Sequence, residues 1–265
     1  MAGTRRPAVA GTFYPGSPRA LEEVVRGYLR EAAAPVEPAA KALIAPHAGY
    51  VYSGAVAASA YVRIAPRAAE IRRVVLLGPA HRVALRGLAA PGADAFETPL
   101  GPVPIDRAAI DRALALPQVV ASDAAHAGEH SLEVQLPFLQ LVLDDFALAP
   151  FVVGDATPEQ VAQVLELLWG GPETIVVVSS DLSHYLSYDA ARAIDRQTAQ
   201  AILDLASVSL EQACGGMPIN GLLLAARLHG LTPQLLDLRN SGDTAGDQQR
   251  VVGYGAFSFG EGHVH

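Results

Sequence analysis

Three apolar runs in this chain each end in a histidine-bearing polar turn: Ala42-Leu43-Ile44-Ala45-Pro46-His47, Val74-Val75-Leu76-Leu77-Gly78-Pro79-Ala80-His81 and Ile175-Val176-Val177-Val178-Ser179-Ser180-Asp181-Leu182-Ser183-His184. Short β-branched runs of this kind have the pattern of buried strands. Open α/β sheets gather ligands outside the carboxyl ends of their strands, and imidazole is both the side chain that titrates nearest neutral pH and the commonest metal ligand. Three such histidines, far apart in sequence, are therefore expected to converge on one rim. That arrangement reads as an active site, and as a metal site in particular.

His47 follows a proline and precedes Gly49 and Gly54, so it sits on a tight turn whose backbone lets a ligand approach closely. The alternative is a ring satisfied within that turn or capping the next helix. His81 repeats the strand-end setting, and Arg82 beside it reads as an anion contact or as a plain surface arginine. Asp181 and His184 share one loop, where a carboxylate can orient the ring or the two can contribute separately to one site. Asp181 as a helix cap is the competing reading. Tyr185 reads as a phenolic donor or as a packing aromatic.

In Glu129-His130-Ser131, Ser131 is placed to cap the helix that follows, and Glu133 falls in its first turn near the positive end of the dipole. Glu129 and His130 are left without such an explanation, so His130 becomes a candidate for the site and His126 a weaker one. Cys214 is the only cysteine, which rules out an intramolecular disulfide. It lies just before a helix opened by Pro218, where a helix N-terminus favours the thiolate that ligates metals. A small buried core residue is the alternative. His229, His263 and His265 read as structural or terminal, and Asn240-Ser241-Gly242-Asp243 as a turn. The chain has no Gly-rich phosphate loop, Gly-x-Ser-x-Gly elbow, His-Glu-x-x-His or Cys-x-x-Cys.

The elements that must position these residues follow from capping and periodicity. Ser17-Pro18 starts a helix with Leu21, Val24, Val25 and Leu29 on one face. Strands are expected at Lys41–Pro46, Arg73–Leu77, Ala147–Val153, Thr174–Ser179, Gln234–Leu238 and Arg250–Phe259. Further helices are expected at Ala55–Val62, Asp106–Leu116, Ser131–Leu143 with Pro137 kinking it or ending its first segment, Thr157–Trp169, Tyr188–Leu205, Ser207–Ala213 and Ile219–Leu228. Strands alternating with helices imply a single α/β/α sandwich domain, residues 1–265, around a mostly parallel sheet.

The chain of 265 residues is long enough to bury a full core, and with 51% hydrophobic and 17% charged residues it is globular rather than disordered. A balance of 19 basic against 27 acidic residues, net −8, with no Lys/Arg block, argues against nucleic acid or anionic lipid as the main partner. The first ten residues lack an adequate apolar h-region, and no stretch reaches membrane-spanning length without Pro or charge. A soluble, cytoplasmic protein is the expectation.

Taken together, Ala45-Pro46-His47-Ala48-Gly49-Tyr50, Gly78-Pro79-Ala80-His81, Glu129-His130-Ser131-Leu132-Glu133, Ser179-Ser180-Asp181-Leu182-Ser183-His184 and Cys214-Gly215-Gly216-Met217-Pro218-Ile219 resemble the Memo family, whose prokaryotic members are termed AmmeMemoRadiSam system protein B. The five motifs stand in order from about Ala8 to Phe259. The family is similar to class III extradiol ring-cleaving dioxygenases of the LigB type, which use non-haem iron. Carried over by position, the resemblance implies His47, His81 and Cys214 as metal ligands, His184 as the acid/base, and Asp181 and His130 as further residues of that pocket. It implies iron (Fe2+), while a cysteine in place of the dioxygenases' glutamate brings copper and zinc into range, because thiolate is the softer ligand. The implied activity is redox or dioxygenase-like chemistry on a small aromatic or phenolic molecule. The alternatives are binding of a phosphopeptide, since eukaryotic members are linked to phosphotyrosine-peptide recognition, and zinc-dependent hydrolysis with His184 as base.

Overall fold

In a computed structural model, which describes residues 3–32 and 39–261, the three histidine-bearing runs become neighbouring strands at the heart of one sheet. In chain order the elements are β1 (Thr4–Arg5), α1 (Pro18–Glu31), β2 (Ala40–Ala45), α2 (Tyr50–Tyr61), β3 (Arg73–Pro79), β4 (Leu88–Ala90), β5 (Ala95–Thr98), β6 (Gly101–Pro104), α3 (Arg107–Ala113), β7 (Val119–Ala121), α4 (Asp123–Ala127), α5 (Leu136–Val142), β8 (Ala147–Val153), α6 (Pro158–Leu168), β9 (Thr174–Ser179), β10 (His184–Leu186), α7 (Tyr188–Leu203), α8 (Gly216–Leu228), β11 (Leu231–Asn240) and β12 (Val251–Glu261). His263 and His265 lie outside the described residues.

Among the described residues the main sheet has nine strands, ordered β10-β12-β2-β9-β3-β8-β4-β7 with β11 paired to β12. Its centre, β2, β9, β3 and β8, is parallel; β12 and β4 join it antiparallel. Every residue of β9 is buried, as expected of a strand covered on both faces. The chain steps from β2 to β3 in one direction and from β8 back to β9 in the other. Right-handed crossovers therefore put α2 and α6 on opposite faces. Because β9 inserts between β2 and β3, the order reverses there and opens a crevice at the carboxyl ends of all three. A small second sheet, β1-β5-β6, lies to the side.

Local chemistry explains most boundaries. Ser17 Oγ accepts the Ala20 N–H at the start of α1, and Thr157 and Gln160 form a reciprocal capping box at the start of α6. Pro137 ends a single 3-10 turn over Glu133–Gln135 and opens α5, so the expected helix from Ser131 is in fact two segments. Ser131 caps neither; its hydroxyl donates to the Pro79 carbonyl at 3.0 Å. Helix α2 begins at Tyr50, five residues before expectation. Gly54 is no turn residue there: a Cβ would stand 2.5 Å from the Tyr28 ring, so the glycine lets α1 close on α2. The short helix expected at Ser207–Ala213 does not form. The Asn220 side chain takes both the N–H and the carbonyl of Val208, competing with helical pairing. Strand β11 runs through Pro233, which an edge strand tolerates.

Candidate metal centre

The crevice at the ends of β2, β9 and β3 widens into a cleft of about 1060 Å³, walled by His47, His81, His130, Asp181, His184 and Cys214 among others. All six candidate residues therefore share one cavity. Ligand atoms of His47, His81 and Cys214 lie within 4.8 Å of one another. His47 follows β2, His81 follows β3, and Cys214 arrives from the turn before α8, which starts at Gly216 rather than at Pro218. Gly215 allows that approach, since a Cβ there would meet Ser180 Cβ at 2.6 Å and the Ser179 carbonyl at 2.8 Å.

The hydrogen bonds around the two imidazoles leave one tautomer for each. The Ser179 hydroxyl donates to the Ser131 carbonyl (2.5 Å) and accepts from Gln135 Nε2 (2.8 Å), so His47 Nδ1, 2.9 Å away, must be the donor in their contact. His81 Nδ1 lies 2.9 Å from Glu129 Oε1, a carboxylate that can only accept. Each ring thus keeps its Nε2 lone pair for the cleft, the arrangement in which second partners orient metal-binding histidines. Cys214 Sγ lies 3.3 Å from His47 Nε2. Burial, reinforced by Asp181, pushes its thiol up to about 12, and burial holds His47, beside His81, down to about 3. The helix N-terminus does not yield the expected free thiolate; desolvation outweighs it. Two imidazoles that donate through Nδ1 and a buried thiol fit a cation that displaces the thiol proton, as metal binding does.

Asp181 Oδ1 accepts the His47 N–H at 2.7 Å, and Oδ2 lies 4.0 Å from His47 Nε2. It supports the His47 turn rather than capping a helix, and among the described residues no hydrogen bond joins it to His184. The two stand separately in the cleft wall. His184 stands exposed on the cleft wall. The His130 ring stacks on His81 at 4.8 Å between centroids, stands 5.4 Å from His47, and abuts Phe13 at 4.8 Å. Its Nδ1 is buried without a hydrogen-bond partner, and burial, with His47 nearby, lowers it to about 4. His126 turns away: its Nε2 faces the Ala89 carbonyl at 3.0 Å. His229 is structural, stacked on Trp169 at 4.1 Å and bonded to Glu166.

Sequence reasoning missed the supports. Glu129 accepts four N–H groups, from His81 Nδ1, His81 N, His130 N and Ser131 N. Burial would raise it, but these donors hold it down at about 2. Glu133, 0% exposed, is not acting on a helix dipole. It pairs with Arg5 at 2.7 Å and accepts from Ala8 N, Val9 N and the Tyr14 hydroxyl. Arg5 in turn donates to the carbonyls of His126 and Glu129, so the N-terminal segment braces the loop that carries His130. The only sequence signal for any of this was Glu129, a carboxylate with no local explanation. Tyr254, Tyr52 and Arg250 also line the cleft, and Ser241 brings the 240–243 turn to its edge.

The fold and site define an α/β protein with a candidate metal centre at the carboxyl rim of its sheet. The chain belongs to the Memo family: the family model described as Memo-like protein matches residues 5–258. MEMO1 family proteins of Ignicoccus hospitalis and Methanosarcina barkeri are 36% and 37% identical to it, with 96% and 95% of this chain and 98% of each relative covered. The Aquifex aeolicus relative is 37% identical over 94% of this chain and 97% of its own. The solved structure of an uncharacterized protein, JW3007 from Escherichia coli K12, has the same fold at TM-score 0.54 and 13% identity, covering 80% of this chain and 98% of that one. No helix among the described residues is long and apolar enough to cross a membrane.

Proposed function

We propose that this Memo-family protein holds one transition-metal ion, iron or copper, through His47 Nε2, His81 Nε2 and Cys214 Sγ, and performs dioxygenase-like redox chemistry on a small phenolic molecule. The observation that carries the reading is the pair of fixed tautomers, each leaving an Nε2 lone pair unused, in a cluster where ligand atoms of the two histidines and the cysteine lie within 4.8 Å of one another. When bound, the metal would supply open coordination positions for a chelating phenol and for dioxygen. The remaining steps belong to the chain. Cys214 would give up its proton to solvent on loading, since His47 Nε2, 3.3 Å away, is itself a ligand. His184, on the wall, takes the phenolic proton as general base and returns it later. His130, kept neutral by burial, and Asp181 provide further proton sites beside the ligands. Zinc, with hydrolysis of a bound ligand, is the variant that elemental analysis would separate.

A second reading, non-catalytic capture of a phosphopeptide, draws on Arg82 and Arg250 in the cleft wall. The test is elemental analysis of anaerobically purified protein, followed by dioxygen uptake on a catechol panel. Loss of metal in both His47→Ala and Cys214→Ser, with uptake by the loaded wild type, supports the metal reading. Full metal occupancy in both variants would end it, and phosphopeptide binding indifferent to chelator would favour the second.

A further inference from the structure

Strand β10 breaks register with β12. His184 pairs with Val252 and Leu186 with Val251, so Tyr185 is the extra residue of a bulge. Its φ is 59°, the left-handed conformation that such a bulge usually gives to glycine and that a Cβ disfavours. The other non-glycine residue in this conformation among those described, Leu205, sits just past the end of α7, where a left-handed residue closes a helix. Tyr185 has no such role. Nor does its ring repay the strain by burial, because the residue is 63% exposed. The ring stands instead in the cleft wall, 5.8 Å from the His184 ring, with the Arg250 guanidinium 5.1 Å from its centroid.

Backbone strain unrewarded by packing, at the mouth of a site, is the pattern of a residue kept for function. We propose that Tyr185 determines the specificity of the cleft: its ring, steadied by Arg250, stacks on a planar aromatic ligand held above the His47–His81–Cys214 cluster. This rests on the phenolic reading above and adds the residue that recognises the face of the ring. The bulge next to His184 aims the ring and the imidazole at the same ligand.

The test uses the full chain loaded with metal and 4-nitrocatechol as a chromophoric probe, titrated by absorbance. Tyr185→Gly removes the ring and relieves the strain; Tyr185→Phe keeps the ring. The expected result is about tenfold weaker binding by the glycine variant, the size of a lost aromatic stack. The phenylalanine variant should stay within about twofold of wild type, and both should retain full metal content. The thermal midpoint of the metal-free glycine variant should not fall, because relieved strain offsets the lost contact with Arg250. Equal binding by wild type and the glycine variant would overturn the role of Tyr185 alone. So would equal loss in the phenylalanine variant, a parallel loss of metal, or a midpoint lower by more than about 4 °C, the mark of a structural ring. No binding by the loaded wild type would instead refute the phenolic reading, and this proposal with it.

Discussion

Glu129→Gln isolates the support behind His81. The carboxylate accepts His81 Nδ1–H, His130 N–H and Ser131 N–H on Oε1, each at 2.9 Å, and His81 N–H on Oε2 at 2.6 Å. An amide has one oxygen, so in either orientation its NH2 group faces a backbone or ring donor. At least one charge-assisted bond is lost, and the rest weaken to neutral strength. The same conclusion follows from its acidity: a carboxyl held at about 2 is worth about 3 kcal/mol to the folded state at neutral pH. Urea denaturation of the metal-free protein should therefore show a loss of about 2–4 kcal/mol. Since the His81 ring is also less firmly held and less basic, competitive chelator titration should show metal affinity falling about 10–100-fold. An affinity within twofold of wild type would refute the tether, whatever the stability change.

His126 offers a pH test away from the ligand set. Burial lowers it to about 4, so the unfolded chain takes up the proton first, and stability falls as pH drops from about 6.5 to about 4. His126→Leu should flatten that part of the pH–stability curve by about 3 kcal/mol in urea denaturation; an unchanged slope would contradict it. Arg5→Ala leaves the fully buried Glu133 carboxylate without its cation and should cost about 3–5 kcal/mol in urea denaturation; a loss below about 1 kcal/mol would contradict the brace. Gly215→Ala forces a Cβ against Ser180 and the end of β9, so it should destabilise by about 1–3 kcal/mol and reduce metal content; an unaffected metal content would show that Cys214 tolerates displacement.

The cluster was legible because strand-end chemistry is local. His47 and His81 each stand two residues past the end of a buried strand, and strand order does the rest. Cys214 and the Asp181–His184 loop could be placed because glycines and a strand end mark them. What escaped was long-range. Glu133 lies in a first turn by its neighbours, yet its partners are Arg5 and Tyr14, more than a hundred residues away. Glu129 could be seen as unexplained but not as the support of His81, because that contact depends on how two loops meet over β3. Ser207–Ala213 looked helical until the Asn220 side chain was seen to occupy its backbone. The strain at Tyr185 has no sequence signature, since a tyrosine after His184 reads only as a phenolic donor or a packing aromatic.

The most direct test of the metal centre is X-ray absorption at the metal edge of the purified protein, compared with the Cys214→Ser variant. The account predicts one sulfur scatterer at about 2.3 Å and imidazole nitrogens at about 2.0 Å, with the sulfur shell lost in the variant. A first shell of nitrogen and oxygen alone in the wild type would contradict it.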